Sequence, residues 1–127
     1  MSDLPLVLIV DDNDRNRMLT RDVLRFDGFR TIEAATAADG ISLASQHVPD
    51  VILMDLRLPD FDGTEAVRIL RAEARTSRIP VVAVTALRLD AGDDWFLDAG
   101  FAGYLAKPID IDELPRLVRR YCGNNPD

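Results

Sequence analysis

The chain has 127 residues, 47% of them hydrophobic and 29% charged, which is enough apolar material for one core and too much for a disordered chain. Fifteen basic against 22 acidic side chains leave a net charge of −7 and a pI near 4.6, which argues against binding a nucleic-acid phosphate backbone. The single cysteine, Cys122, cannot form an internal disulfide, and the apolar run Leu6 to Val10 is too short for a signal peptide or a membrane span, so the expectation is one soluble cytoplasmic domain over 1–127 with its core in about 6–122.

Leu6 to Val10 reads as a first strand buried on both faces, because its apolar run does not alternate. It leads into Asp11, Asp12, Asn13 and Asp14, any of the last three of which can cap the helix that follows. That helix runs to about Phe26, with Leu19, Val23 and Phe26 at inward spacing and Arg15, Arg17, Arg21 and Arg25 on a solvated face. Asp27-Gly28 stops it. Arg30 to Ala34 is a weaker second strand, suited to a place nearer the sheet edge, with Ile32 as its main apolar residue. A second helix covers Ala37 to Gln46, with Ile41 and Ala44 inward, and ends at His47 and Pro49-Asp50.

Val51 to Met54 is the third strand and runs straight into Asp55, after which Pro59 and Gly63 punctuate a loop. A third helix spans about Gly63 to Ala74, with Ala66, Val67 and Leu70 facing in. Ile79 to Val84 is the fourth strand, ending in Thr85-Ala86. A fourth helix, roughly Ala91 to Ala99, is closed by Gly100; of Trp95 and Phe96, one is available to pack inward and the other to an exposed contact patch. Ala102 to Ala106 is the fifth strand, ending at Lys107-Pro108, and a last helix covers about Asp112 to Tyr121. Pro115 kinks that helix if Asp110 caps it, and falls in the tolerated first turn if Asp112 does; the second reading is preferred. Five alternations of strand and helix predict an α/β fold, a doubly wound five-stranded parallel sheet with helices on both faces.

In such a sheet the strand ends gather Asp11 and Asp12, Asp55, Thr85 and Lys107 on one edge, where ligands of open α/β sheets collect. Three crowded carboxylates repel one another unless a cation intervenes, and an all-oxygen set suits a hard cation, Mg²⁺ first. A carboxylate beside a bound metal can attack phosphorus, and metal, ammonium and hydroxyl can each stabilise charge on the transferring phosphoryl group. These are the parts needed to make an aspartyl phosphate.

On these residues the chain resembles a response-regulator receiver domain of the CheY-like superfamily over nearly its full length. The resemblance is carried by Asp11-Asp12, Met54-Asp55 with Pro59 and Asp62-Gly63, Thr85-Ala86, Lys107-Pro108, and Tyr104 three residues before the lysine. It implies a flavodoxin-like (βα)5 fold with strand order 2-1-3-4-5. It also implies that Asp55 is phosphorylated by a phosphohistidine on a histidine kinase or histidine phosphotransfer protein, and that Asp11, Asp12, Asp55 and the Arg57 backbone carbonyl hold Mg²⁺. Lys107 would pair with the phosphoryl group, Thr85 would hydrogen-bond to it, and Tyr104 would swing inward. The face of helix four, strand five and helix five would then be reshaped for a downstream protein partner. The region of Arg15 and Arg17 meets the phosphodonor in this family. Generic preference favours a trans Lys107-Pro108 bond, whereas the resemblance suggests cis. Arg57 and Leu87 flank the expected path of attacking water and are candidates for shielding the acyl phosphate. Among single-domain receivers the chain looks most like the DivK-like group.

One acid suffices for a helix cap, so the Asp11-Asp12 pair favours a site. Thr85 alone is an ordinary strand residue, and Tyr104 alone an ordinary half-buried aromatic. His47 and Cys122 are given no role. A haloacid-dehalogenase-like phosphatase needs Asp-x-Asp followed by Thr or Val, and neither Asp55-Leu56-Arg57 nor Asp12-Asn13-Asp14 with Arg15 fits. A flavodoxin-like cofactor binder needs a Ser/Thr-rich phosphate loop where three acids stand. A degenerate receiver, acting as a constitutive interaction module, lacks support because all five expected residues are present. An activity on a separate substrate is not expected; the reading is a signalling domain that takes part in its own phosphorylation.

Overall fold

Five parallel strands form one sheet in the order β2-β1-β3-β4-β5: β1 Leu6–Val10, β2 Arg30–Ala34, β3 Val51–Asp55, β4 Val81–Thr85 and β5 Gly103–Ala106. The helices that connect and follow them are α1 Asp14–Phe26, α2 Ala37–His47, α3 Gly63–Ala72, α4 Trp95–Ala99 and α5 Glu113–Gly123. This computed structural model describes residues 4–58, 60, 63–86 and 95–123. Pro59, Asp62, Leu87, the expected start of the fourth helix at Ala91 and the side chains of Trp95 and Phe96 lie outside the described residues. Among the described residues, no helix is long and apolar enough to cross a membrane.

The unbroken apolar runs of β1, β3 and β4 are explained by burial on both faces. Leu8, Val10, Ile52, Met54, Val81 and Ala83 point to one side, against α2 and α3. Val7, Ile9, Val51, Leu53, Val82 and Val84 point to the other, against Leu24 of α1 and Leu114 and Val118 of α5. The less apolar β2 is an edge strand, paired only with β1, and its Ile32 is half-buried.

The helix termini follow local chemistry. Asn13 caps α1, its side chain accepting from Asn16 N, so neither Asp11 nor Asp12 is spent as a cap. At α5 the capping side chain is Asp110 and not the preferred Asp112: its carboxylate accepts from Asp112 N and Glu113 N and its carbonyl from Leu114 N, while the helix proper spans Glu113–Gly123 with Pro115 in its first turn. Arg71 of α3 ties three segments together: its guanidinium donates to the carbonyls of Ser77 and Ile79 in the α3–β4 loop and of Gly100 at the end of α4.

The inward face of α1 differs from the expected one. Leu19 is 44% exposed and Phe26 94% exposed, while Thr20 and Leu24 are buried and Val23 is partly so. The sheet-facing stripe is 17-20-21-24, and three of its four residues are polar. Thr20 can be buried because its hydroxyl donates to Asn16 O at 2.9 Å. Arg17 and Arg21 are likewise not on a solvated face; both reach Glu33 on β2, and Arg25 reaches Thr31. A stripe built from paired polar groups leaves no hydrophobic period in the sequence.

Candidate functional site

Strand register assembles the site. Val10 pairs with Met54, so Asp11 and Asp55 follow on neighbouring strands at the same level. Asp55 pairs with Val84, and Thr85 pairs with Ala106, which brings Lys107 one residue beyond the end of β5. Asp11, Asp12, Asp55, Thr85 and Lys107 therefore occupy one sheet edge, as the alternation of elements predicts. A cleft of about 390 Å³ opens there, lined by Asp12, Asn16, Asp55, Arg57, Thr85 and Lys107 among others. Asn16 was not singled out from the sequence; its signal is its position one turn beyond the Asn13 cap, on the helix that leaves the acidic corner.

Asp55 is not a solvated loop acid. It is buried, and both carboxylate oxygens are engaged: Oδ1 accepts from the Arg57 backbone N–H at 3.0 Å, and Oδ2 from Lys107 Nζ at 2.9 Å. Lys107 Nζ is also 3.8 Å from Asp11 Oδ2. Asp11 is buried and Asp12 exposed, and ligand oxygens of Asp11, Asp12 and Asp55 all lie within 4.8 Å of one another. Burial pushes the Asp11 carboxyl above the usual carboxylate range, with the charges of Asp55 and Asp12 adding to the effect. The Asn13 N–H and Lys107 oppose it.

This donor set fits a hard divalent cation. Three carboxylates at this spacing, two of them buried, supply oxygen ligands and a charge that one ammonium does not neutralise. Thr85 is 4% exposed at the end of β4. Ala83 pairs with Tyr104 and Thr85 with Ala106, so Thr85 and Tyr104 share one face of the sheet, one pleat repeat apart. Tyr104 is 37% exposed. The Lys107-Pro108 bond is cis. Arg57 is exposed at the rim of the cleft.

Comparison with known proteins places this geometry in a family. Residues 7–119 match the family model of the response regulator receiver domain. The polar-differentiation response regulator DivK of Brucella ovis is 34% identical over 118 residues, covering 93% of this chain and 96% of that protein. The receiver domain of the sensor histidine kinase PA1611 from Pseudomonas aeruginosa, solved with a magnesium ion coordinated in its active-site cleft, superposes with a TM-score of 0.86 at 36% identity, covering 95% of this chain and 99% of that one. A CheY-like receiver domain protein from Methanospirillum hungatei gives a TM-score of 0.84 at 27% identity, covering 95% of each chain. The chain belongs to the response regulator receiver domain family.

Proposed function

We propose that the protein is the phosphoacceptor of a two-component phosphorelay, taking a phosphoryl group from phosphohistidine onto Asp55 and switching a protein-interaction face in response. The observation that carries this reading is the contact of Lys107 Nζ with Asp55 Oδ2 at 2.9 Å beside a three-carboxylate cluster. An Asp55 oxygen attacks phosphorus, the P–N bond breaks, and the imidazole nitrogen leaves with the bonding pair. Lys107 is already within reach of the oxygen that attacks, so its ammonium can follow the charge onto the phosphoryl group. Thr85 presents its hydroxyl from the adjacent strand. A Mg²⁺ ion held by Asp11, Asp12, Asp55 and the Arg57 carbonyl would neutralise phosphoryl charge and relieve the repulsion among the acids.

Readout runs through Thr85 and Tyr104. Drawing Thr85 toward the phosphoryl group changes the surface on which Tyr104 rests and favours its inward rotamer. The face of α4, β5 and α5 then meets a downstream protein. The donor is a histidine kinase or histidine phosphotransfer protein, and the setting is the cytoplasm. The resident chemistry is confined to the protein's own aspartyl phosphate.

Intact mass after incubation with acetyl phosphate, or with a phosphorylated histidine kinase, tests the reading. The expected result is a gain of one phosphoryl group that requires Mg²⁺ and is lost in Asp55→Asn. A folded protein that gains nothing from either donor would sink the phosphoacceptor claim and favour a constitutive interaction module.

A further inference from the structure

Arg17 has no evident place in the chemistry above, and the resemblance puts it in a region that docks the phosphodonor. Its side chain is only 16% exposed, and it turns away from solvent. Nη1 donates to the backbone carbonyl of Asp11 at 2.8 Å, Nε to Glu33 on β2 at 3.2 Å, and Nη2 to Asp14 at 2.6 Å. One guanidinium thus joins the end of β1, the edge strand β2 and the first turn of α1.

The bond to Asp11 lies where the sheet ladder gives out. Asp11 N still donates to Ala34 O at 3.0 Å, as a strand residue would, but its own carbonyl is taken by Arg17. Its carboxylate is held as well, with Oδ1 accepting from Asn13 N at 2.9 Å. Asp11 is therefore fixed at its N–H, its carbonyl and one carboxylate oxygen, and the remaining oxygen, Oδ2, lies toward Lys107. The next peptide carries Asp12.

We infer that Arg17 is a positioning residue of the acidic site. By gripping the Asp11 carbonyl, braced by Glu33, it fixes the Asp11-Asp12 backbone so that both carboxylates are delivered to a divalent cation. The inference rests on the Mg²⁺-dependent phosphoacceptor reading.

Its sign separates it from simpler accounts. A guanidinium next to the acids lowers their negative potential, so charge alone predicts that removing Arg17 tightens Mg²⁺ binding. A role confined to holding α1 on β2 predicts lower thermal stability with unchanged affinity. Positioning predicts weaker affinity, because the carboxylates lose their orientation; residues behind metal ligands typically change affinity by about 10- to 100-fold.

The test is calorimetric titration of the folded protein with MgCl₂ for wild type, Arg17→Gln, Arg17→Lys and Glu33→Gln, with acetyl-phosphate labelling measured across Mg²⁺ concentration. Arg17→Gln should weaken Mg²⁺ binding about tenfold and recover most of the labelling rate at saturating Mg²⁺. Arg17→Lys, which keeps the charge but cannot hold three acceptors, should fall between the two, and Glu33→Gln should shift affinity in the same direction by less. Affinity equal to or tighter than wild type in Arg17→Gln would overturn the inference while leaving the phosphoacceptor reading intact. Wild type that binds no Mg²⁺ would overturn both. If Arg17→Gln does not fold, the other two variants decide: affinities equal to wild type in both would overturn the inference.

Discussion

The Asp60 carboxylate holds the N–H of Ala37 at 2.9 Å through one oxygen and that of Ala38 at 2.9 Å through the other. Thr36 completes the end of α2 by accepting from Asp39 N. Asp60 belongs to the segment that follows β3 and Asp55, so the helix start anchors it, and an anion at a helix N-terminus is favoured by the helix dipole as well. Asp60→Ala should therefore destabilise the protein by about 1 kcal/mol in urea denaturation, in the range of a lost N-cap. It should also slow labelling of Asp55 more than a surface control such as Glu73→Ala. Equal labelling rates would show that the segment needs no anchor.

Gly63 is required by a close approach rather than by its dihedral angles. A Cβ there would lie 2.8 Å from the Asp55 carbonyl oxygen and 3.1 Å from Leu56 Cα, both backbone atoms that cannot swing aside. Gly63→Ala is expected to cost about 2 kcal/mol of stability, as overpacking does, and to displace the peptide that follows Asp55. Thermal denaturation and acetyl-phosphate labelling should fall together. A variant as stable and as readily labelled as wild type would refute the tight fit.

Legibility in the sequence divides along physical lines. The expected bounds of β1 match the observed ones and those of β3 differ by one residue, because buried parallel strands are written as continuous apolar runs ending in polar groups; the bounds of the edge strand β2 match as well, though it carries no such run. The acidic pair, Asp55, Thr85 and Lys107 were legible because each directly follows such a run. The inward face of α1 was not, since Thr20 is buried by bonding back to Asn16 of its own helix and Arg17 and Arg21 are half-buried by ion pairs to Glu33 on β2. Asp60 was illegible for the same reason: its partners are 23 and 22 residues away in α2. Contacts between a side chain and a distant backbone leave no periodic trace.

Val48 is the C-cap of α2 in the left-handed region, with φ 45° and ψ 66°, where a β-branched side chain is strained. It is 45% exposed, so little packing would be lost on truncation. Val48→Gly should raise stability by about 1 kcal/mol, measured as a higher urea midpoint at unchanged slope. A lower midpoint would mean that the side chain contributes more than its backbone costs.

Burial pushes the Cys122 thiol up to about 11 from its ordinary 9.0, with Asp50 adding and Arg119 opposing. At pH 8 the folded protein then holds about 100-fold less thiolate than the unfolded chain, so iodoacetamide should alkylate it far more slowly in buffer than in urea. Between pH 9 and 11 the unfolded chain gives up this proton first, so the contribution of Cys122 to stability is intact below pH 9 and is lost as pH rises through that window. Wild type should lose more stability across the window than Cys122→Ser. Identical pH profiles would show that the thiol titrates normally.

Arg71 is half-buried, and burial lowers its affinity for its proton; its guanidinium donates to carbonyls, the last of them Gly100 at the C-terminal end of α4. That bond pins the C-terminal end of α4 to α3. While it is kept, α4 has rotation left to it but not translation, so displacement grows along the helix with distance from Gly100. Such a rotation would turn against α3 and its loop into β4, which the same guanidinium holds together.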